Sequence, residues 1–272
     1  VVWSKVENVK NINLIQHNVV REMFKYFKLN DGVDLHYQGD LPARSGMGSS
    51  SSFVVGLMKI LLQKNKINIS NQELAKKCIF FEQKILKETV GIQDQISATF
   101  GGFNKINIEK NGTFKIKKIK NDKNIKNFNN NLILLFTGIY RTANEIAGQY
   151  VTQLTKNKII EMKRINEQVL EGERLLKNCD FDDFGRLLNE SWMLKKSLSK
   201  VISNNKINEL YSFAMQNGAL GGKLLGAGGG GFMLFYMPKN LQEKFLKKIN
   251  KKTVRVPFKF SNEGSTITFN KN

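Results

Sequence analysis

The sequence predicts an α+β fold in two domains, and three patterns lead to that prediction. Short segments such as 33–39 and 106–116 alternate apolar and polar residues with the period of two that is typical of strands. Longer segments repeat apolar residues at helical spacing, at 159–176, 184–198 and 207–217. The polar stretch 121–131 separates the two parts. We therefore place an N-terminal domain at 1–127 and a C-terminal domain at 128–272.

The predicted elements follow in a simple order. In the first part, the strand 33–39 leads through a glycine and serine loop into a helix, and a second helix spans 72–86. A hairpin at 106–116 follows, with Asn111 and Gly112 suited to a type I′ turn. In the second part, a buried strand at 132–136 precedes the three long helical segments, and Gly218 suits the end of the last one. Strands are also predicted at 232–236 and 254–260.

The loop 41–52 has the sequence Leu-Pro-Ala-Arg-Ser-Gly-Met-Gly-Ser-Ser-Ser-Ser, which favours phosphate binding. Gly46 and Gly48 carry no side chain, so backbone N–H groups can approach an anion. The serines are expected to cap the following helix, whose dipole favours negative charge at this end. The loop lacks the Gly-Lys-Ser/Thr ending of a P-loop. An ordinary helix cap without a ligand is the structural alternative.

A second glycine-rich segment, 218–231, precedes the strand 232–236. A plain hairpin turn needs only one or two glycines, and each further glycine costs backbone entropy on folding. The run therefore indicates that a ligand or another backbone segment comes very close to it.

Glu82 is predicted to face inward from the helix 72–86. It falls at helical spacing among the apolar residues Leu74, Cys78, Ile79, Ile85 and Leu86. A buried carboxylate is costly unless it is paired or bound to a cation, so Glu82 requires a partner. The alternative is an exposed glutamate on a helix whose apolar side includes Phe80 and Phe81.

Composition narrows the class of protein. The net charge of +20 suggests nucleic-acid binding, but the lysines are spread along the chain without a zinc finger or an aromatic RNA-binding signature. We expect no nucleic-acid partner and no membrane span, and a charge that helps to capture anionic substrates. Cys78 and Cys179 are too few for a disulfide framework or a cysteine metal site. Free thiols in a reducing cytoplasm are the expected interpretation.

Three segments in this order resemble the GHMP small-molecule kinases, the superfamily of galactokinase, homoserine kinase, mevalonate kinase and phosphomevalonate kinase. They are the loop 42–52, the Gly-Ile-Gln-Asp-Gln at 91–95 and the glycine motif 221–231. Within the superfamily, four segments look most like the bacterial heptose 7-phosphate kinases. These are Gly-Ser-Ser-Ser-Ser-Phe at 48–53, the segment 91–95, Phe-Thr-Gly-Ile-Tyr-Arg-Thr-Ala at 136–143, and Trp-x-x-Lys-Lys-Ser-Leu-Ser at 192–199.

The resemblance implies a two-domain GHMP kinase fold, with an N-terminal domain like ribosomal protein S5 domain 2 and a ferredoxin-like C-terminal domain. It implies ATP-dependent phosphorylation of the anomeric hydroxyl of D-glycero-D-manno-heptose 7-phosphate to the 1,7-bisphosphate, for nucleotide-activated heptose synthesis. A fucokinase-like or other sugar 1-kinase is the nearest alternative. A non-catalytic nucleotide-binding homologue is a third. The implied partners are ATP, Mg²⁺ and a sugar phosphate, and a homodimer is compatible with the sequence.

The resemblance also implies roles for individual residues. The residues expected to hold ATP phosphates are Arg44, Ser45, Gly46, Met47, Gly48, Ser49, Ser50, Ser51, Gly226, Gly228 and Gly229. Asp94 is expected to orient or deprotonate the acceptor hydroxyl, although it could instead be a turn aspartate that caps a short helix. Arg141 is a candidate partner for the distal phosphate of the sugar, with a surface salt bridge as the alternative.

A magnesium site is expected at Glu82 and Ser50, with Ser49 as the competing hydroxyl. Glu82 precedes Asp94 by twelve residues, which is similar to the spacing of the magnesium-binding Glu and the catalytic Asp in galactokinase-like members.

Three further residues are weaker candidates. Trp192 and Lys195 or Lys196 could line a sugar pocket, but a core tryptophan and solvated lysines are the simpler interpretation. Lys223 could touch nucleotide phosphate or bond a carbonyl group.

The first motif of the family, a strand and turn that help hold sugar and nucleotide, has no match in this sequence. We expect Val1 to lie about one third of the way into the N-terminal domain.

Overall fold

The computed structural model describes residues 1–41, 45–119, 123–141, 143–250 and 253–270. The chain forms two compact units. Unit 1 comprises residues 1–43, 48–100 and 263–272, and unit 2 comprises residues 44–47 and 101–262. Helices and antiparallel strands are both present, so the α+β prediction is confirmed. The hairpin that follows residue 100 belongs to unit 2, and the sequence boundary at 127/128 stays a prediction.

Unit 1 is built mainly from helices. They are α1 (Asn18–Tyr26), α2 (Ser49–Lys64), α3 (Asn71–Phe80) and α4 (Gln93–Phe100), with a short 3-10 turn at Ile12–Leu14. A capping box starts α3, because the Ser70 side chain accepts from the N–H of Glu73 and the Glu73 side chain accepts from the N–H of Ser70. The helices share one apolar core, whose fully buried members include Val20, Met23, Val54, Met58, Cys78 and Phe81.

Two predicted elements of unit 1 differ in the structure. The strand at 33–39 is wrong: the segment forms a single bridge, in which the backbone of Val2 pairs with that of His36. Among the described residues the pairing does not extend beyond this bridge, and a single bridge is too short to form a ladder. The helix at 72–86 is right in its first part, but α3 ends at Phe80 and a π-turn, Phe81–Ile85, follows. Such widened turns are frequent at functional sites.

Unit 2 contains a hairpin and a four-stranded sheet. The hairpin consists of β1 (Phe103–Ile108) and β2 (Phe114–Ile119). The other strands are β3 (Leu132–Phe136), β4 (Gly221–Leu224), β5 (Phe232–Tyr236) and β6 (Val254–Arg255), which form an antiparallel sheet in the order β4-β5-β3-β6. The helices are α5 (Lys123–Asn130), α6 (Ala143–Asn157), α7 (Ile159–Asn178), α8 (Phe181–Leu198), α9 (Asn205–Gln216) and α10 (Lys239–Lys248), with a 3-10 turn at Lys200–Ile202.

The central strands of this sheet are apolar throughout because they pack on both faces. Met233 and Phe235 of β5 join a core cluster that also contains Trp192 of α8. Leu234 and Tyr236 point to the opposite face and join a second cluster around Phe128 of α5. This packing explains why 132–136 and 232–236 read as continuous apolar runs rather than as alternating patterns.

Two predictions in unit 2 need correction, one of a turn type and one of a strand. The hairpin turn is not type I′, because Gly112 has φ +80° while Asn111 keeps a negative φ and accepts from the N–H of Thr113 through its side chain. The strand at 254–260 is limited to Val254–Arg255, the two residues that pair with β3. Among the described helices, none is long and apolar enough to cross a membrane. Cys78 is buried, Cys179 is exposed, and both are free thiols.

Candidate functional site

The start of α2 presents uncapped backbone N–H groups. The cap residue is Gly48, in the left-handed conformation with φ +71°, and it makes no side-chain cap hydrogen bond. The prediction that a serine caps this helix is therefore wrong, since the serines already belong to its first turn. Ser49 is half-buried, Ser50 is exposed and Ser51 is buried. An uncapped helix start of this kind favours an anion, because its free N–H groups and its dipole both attract negative charge.

Glu82 is fully buried in the π-turn, with no exposed surface. Its Oε2 accepts from the Ser51 hydroxyl at 3.1 Å and from the side-chain amide of Gln95. The inward-facing prediction is confirmed, and the exposed-helix alternative is wrong. Ser51, rather than Ser50, is the loop serine that contacts this carboxyl group.

The surroundings of Glu82 favour its neutral form. Burial raises the pKa of this carboxyl group to about 7, and the nearby charges of Glu88 and Asp94 act in the same direction, whereas the hydrogen bond from Ser51 lowers it. Among the described residues, Oε1 of Glu82 has no hydrogen-bond partner. A buried carboxylate oxygen without a donor suits a hard cation such as Mg²⁺.

Asp94 lies in the first turn of α4, with its carboxyl group beside the start of α2. A β-carbon added at Gly48 would lie 3.2 Å from Cγ of Asp94, so the two groups are in contact range. Asp94 is solvent-exposed, unlike Glu82. Unit 1 thus brings the uncapped helix start, the Asp94 carboxylate and the buried Glu82 together.

In unit 2, the glycine motif lies against residues 45–47 of the first loop. A β-carbon at Gly231 would come within 2.0 Å of the carbonyl oxygen of Ser45, and one at Gly226 within 2.8 Å of the carbonyl oxygen of Gly46. These distances leave no room for any side chain. The close approach that the sequence predicted is therefore one between two backbone segments. Ser45 is buried, and its hydroxyl has no hydrogen-bond partner among the described residues.

Other glycines of this motif lie against residues of unit 2 rather than open space. A β-carbon at Gly228 would lie 2.9 Å from the backbone Cα of Ile202, and one at Gly229 would lie 2.8 Å from the side chain of Ile146. Packing within unit 2 therefore accounts for part of the motif. The prediction that Gly228 and Gly229 contact nucleotide stays a prediction.

Arg141 is buried beside both glycine loops, with 9% of its surface exposed. Its Nη2 donates to the carbonyl oxygen of Leu225 at 3.4 Å. β-Carbons at Gly46 and Gly226 would lie 2.6 Å and 2.3 Å from the same nitrogen. The surface salt-bridge alternative for Arg141 does not agree with this burial.

Of the weaker candidates, Trp192 is fully buried, which confirms the core interpretation. Lys195 is half-buried and its Nζ donates to the carbonyl oxygens of Leu224, at 3.2 Å, and of Gly226. The sequence indicated Lys195 only through its position in the segment 192–199, and that pattern could not distinguish Lys195 from Lys196 as the functional lysine. Arg44 lies outside the described residues.

The predicted Mg²⁺ site can be judged from the ligand atoms that the described residues offer. Within the described ranges, no group of three or more His, Cys, Asp or Glu side chains is arranged to hold a metal ion. Glu82 and the hydroxyl groups near it offer hard oxygen donors, which fits Mg²⁺, an ion that keeps several of its own water ligands. A role for Mg²⁺ therefore remains compatible with the residues present.

Comparison with protein families gives two matches. The model for the GHMP kinases N terminal domain matches residues 13–102, and the model for the GHMP kinases C terminal matches residues 173–254.

Individual relatives agree with these matches. The chain is 34% identical to a D-glycero-alpha-D-manno-heptose 7-phosphate kinase of Campylobacter jejuni, over 85% of this chain and 69% of that protein. It is 29% identical to a bifunctional fucokinase/GDP-fucose pyrophosphorylase of Arabidopsis thaliana, over 75% of this chain but only 20% of that protein. The solved structure of a D-glycero-D-manno-heptose 1-phosphate kinase from Bacteroides thetaiotaomicron has a TM-score of 0.72 at 24% identity, covering 97% of this chain and 76% of that one.

Proposed function

We propose, since this chain belongs to the GHMP kinases, that it transfers the γ-phosphoryl group of ATP to the anomeric hydroxyl of a sugar phosphate. The observation that carries the proposal is the position of Asp94, whose carboxyl group lies beside the uncapped start of α2. A carboxylate and an anion-binding helix start at one place suit a reaction between a hydroxyl group and a phosphate.

The helix start would bind the phosphate chain of ATP. The N–H groups of Ser49, Ser50 and Ser51 belong to the first turn of α2, and the cap residue Gly48 makes no side-chain hydrogen bond to them. Charge that develops on the phosphate oxygens during transfer is stabilised by such fixed donors without reorganisation.

Asp94 would act on the acceptor hydroxyl. The hydroxyl oxygen attacks the γ-phosphorus, and an oxygen–phosphorus bond forms as the bond from the γ-phosphorus to the bridging oxygen breaks. ADP leaves with that bond's electron pair, and the Asp94 carboxylate accepts the hydroxyl proton. Because Asp94 is exposed, unlike Glu82, it is open to an incoming sugar.

Glu82 and a serine hydroxyl would hold Mg²⁺. Ser50 is the hydroxyl that the sequence favours, and Ser51 is the one that contacts Glu82. The ion, when bound, neutralises charge on the phosphate oxygens. The chain itself supplies the buried carboxyl group, whose Oε1 has no protein donor among the described residues.

The acceptor that we propose is D-glycero-D-manno-heptose 7-phosphate, which would become the 1,7-bisphosphate. The similarity to the Campylobacter jejuni enzyme supports this substrate, and so does the buried Arg141 guanidinium near the glycine loops. The match to a plant fucokinase keeps a fucokinase-like sugar 1-kinase as the second candidate. The two free thiols agree with a reducing cytoplasm as the place of action.

Substitution of Asp94 by Asn tests the proposal. We expect kcat for sugar phosphorylation to fall roughly a hundredfold or more, since general-base contributions are of that order. ATP affinity, measured by equilibrium binding, should change little because the helix start is intact. Turnover near that of the wild type would remove Asp94 from the mechanism. Retained ATP binding without any sugar turnover in the wild type would favour a non-catalytic nucleotide-binding protein.

A further inference from the structure

Two lysines from different elements of unit 2 meet near the glycine motif. Lys195 of α8 donates to the carbonyl oxygens of Leu224, at 3.2 Å, and of Gly226. Lys223 of β4 lies with its Nζ 3.4 Å from the hydroxyl oxygen of Ser191. Ser191 and Lys195 are four residues apart on α8, so their side chains share one face of that helix. Both ammonium groups therefore lie on the same side of α8.

A third cation borders this pair. Arg141 donates to the carbonyl oxygen of Leu225. Leu225 lies between Leu224 and Gly226, whose carbonyl oxygens accept from Lys195. The electrostatic effects agree with this proximity. Burial, together with the charges of Lys223 and Arg141, lowers the pKa of Lys195 to about 7. The pKa of Lys223 is also lowered, by burial.

The partners of the two lysines do not balance their charge. In the ranges that the structure describes, the ion pairs with carboxylates include neither Lys195 nor Lys223. Their acceptors are carbonyl and hydroxyl oxygens, which are neutral. By contrast, three lysines elsewhere in unit 2 share the carboxylate of Glu173, namely Lys105, Lys117 and Lys177.

Half-buried cations without a counter-ion carry a desolvation cost that a bound anion would offset. A phosphate dianion could accept charge-assisted hydrogen bonds from both ammonium groups, and these are stronger than bonds to neutral oxygens. Holding the glycine motif in place through carbonyl hydrogen bonds is a role that one lysine could fill alone. Two lysines beside a buried arginine indicate that the group bound there is an anion with more than one negative charge, such as a phosphate.

We propose that Lys195 and Lys223 form a binding site for a phosphate group of a substrate, next to Arg141. This inference rests on the proposed kinase function, and it adds two residues that would bind a phosphate group of one of the substrates. The phosphate can come from the sugar or from the nucleotide, and the hydrogen-bonding chemistry is the same for both.

The test replaces each lysine by Met in the complete protein. Lys195→Met and Lys223→Met remove the charge while keeping most of the side-chain length. Lys200→Met is the matched control, because Lys200 is an exposed lysine just beyond the end of α8. For each variant, kcat/KM is measured with a sugar and with its phosphorylated form, and KM is measured for ATP.

The source of the phosphate decides which parameter moves. If it is the sugar, kcat/KM for the phosphorylated sugar should fall roughly tenfold or more, while that for the free sugar is unchanged. If it is the nucleotide, KM for ATP should rise by a similar factor, and both sugars should be affected equally. Lys195→Arg should retain most of the wild-type preference, because it keeps the charge. Changes below about twofold in all three parameters, as in Lys200→Met, would overturn the proposal.

A binding measurement keeps this test separate from the kinase proposal. Wild type and variants are titrated with inorganic pyrophosphate by calorimetry, and thermal unfolding verifies that each variant is folded. Saturable binding that weakens roughly tenfold in either Met variant would support the site even if no sugar is phosphorylated. Equal pyrophosphate affinity in the wild type and in a folded Lys223→Met variant, together with unchanged kinetics, would refute it.

Discussion

Glu82→Gln should change how the stability of the protein depends on pH. Glu82 has no exposed surface, and burial raises the pKa of its carboxyl group from 4.5 to about 7. In the unfolded chain the same group titrates near its ordinary value. Between about pH 4.5 and about pH 7, the folded protein therefore holds a proton that the unfolded chain releases.

The size of the effect follows from the difference between the two pKa values. A difference of about 2.5 units, at about 1.4 kcal/mol per unit, corresponds to about 3 kcal/mol. This contribution to the free energy of unfolding is fully present below about pH 4.5 and is lost as the pH rises through about 7. Glutamine does not titrate, so the variant should gain about 3 kcal/mol relative to wild type between about pH 4.5 and about pH 8.

Urea unfolding with EDTA present measures this difference without a metal ion. The wild type, Glu82→Gln and the exposed control Glu109→Gln are compared across the pH range. We expect the curves of the wild type and the control to be parallel, and the free energy of unfolding of Glu82→Gln to rise by about 3 kcal/mol relative to the wild type from about pH 4.5 to about pH 8. Parallel curves for Glu82→Gln and the wild type would show that Glu82 titrates alike in the folded and unfolded states, and would refute the reasoning.

Three further predictions concern glycine packing, metal binding and substrate preference. Gly221→Ala should lower the free energy of unfolding by about 3 kcal/mol or more, because its β-carbon would lie 1.9 Å from the carbonyl oxygen of Gly185. Gly148→Ala, at an open helical position, should instead raise it by about 0.5 kcal/mol, and urea unfolding of both variants tests the pair. In activity assays, Glu82→Gln should raise the Mg²⁺ concentration needed for half-maximal rate, since an amide oxygen attracts the cation less than a carboxylate, and an unchanged requirement would argue against ligation by Glu82. Arg141→Ala should narrow the preference for phosphorylated over free sugar, measured as the ratio of the two kcat/KM values, and an unchanged ratio would argue against its contact with that phosphate.

The pattern of apolar residues along the sequence was sufficient to predict burial that depends on a single helix or strand and the core it packs against. Helical spacing placed Glu82 among apolar neighbours, and the structure buries it. The apolar runs 132–136 and 232–236 indicated buried strands, which form the centre of the sheet. In each case the apolar pattern of a single segment already determines which side is covered.

Features that depend on contacts distant in sequence could not be predicted in the same way. The segment 33–39 alternates like a strand, but its backbone pairing is limited to one bridge with Val2. The cap of α2 is Gly48 rather than a serine, because the backbone turns left-handed one residue before the serines. The link between Lys195 and the glycine motif joins residues about thirty positions apart, and no local pattern indicates it.

The most direct test of the account is an assay of the complete protein with ATP and a panel of acceptors. The panel contains D-glycero-D-manno-heptose 7-phosphate, free heptose, fucose and galactose, and phosphorus NMR identifies the position of the new phosphate. We expect phosphorylation of the anomeric oxygen, with kcat/KM for the 7-phosphate roughly a hundredfold above that for the free sugars, because a free sugar cannot form the charge-assisted hydrogen bonds that the 7-phosphate would form with the cations near the glycine motif. Equal kcat/KM for free and phosphorylated sugars, or a phosphate at another position, would contradict the account.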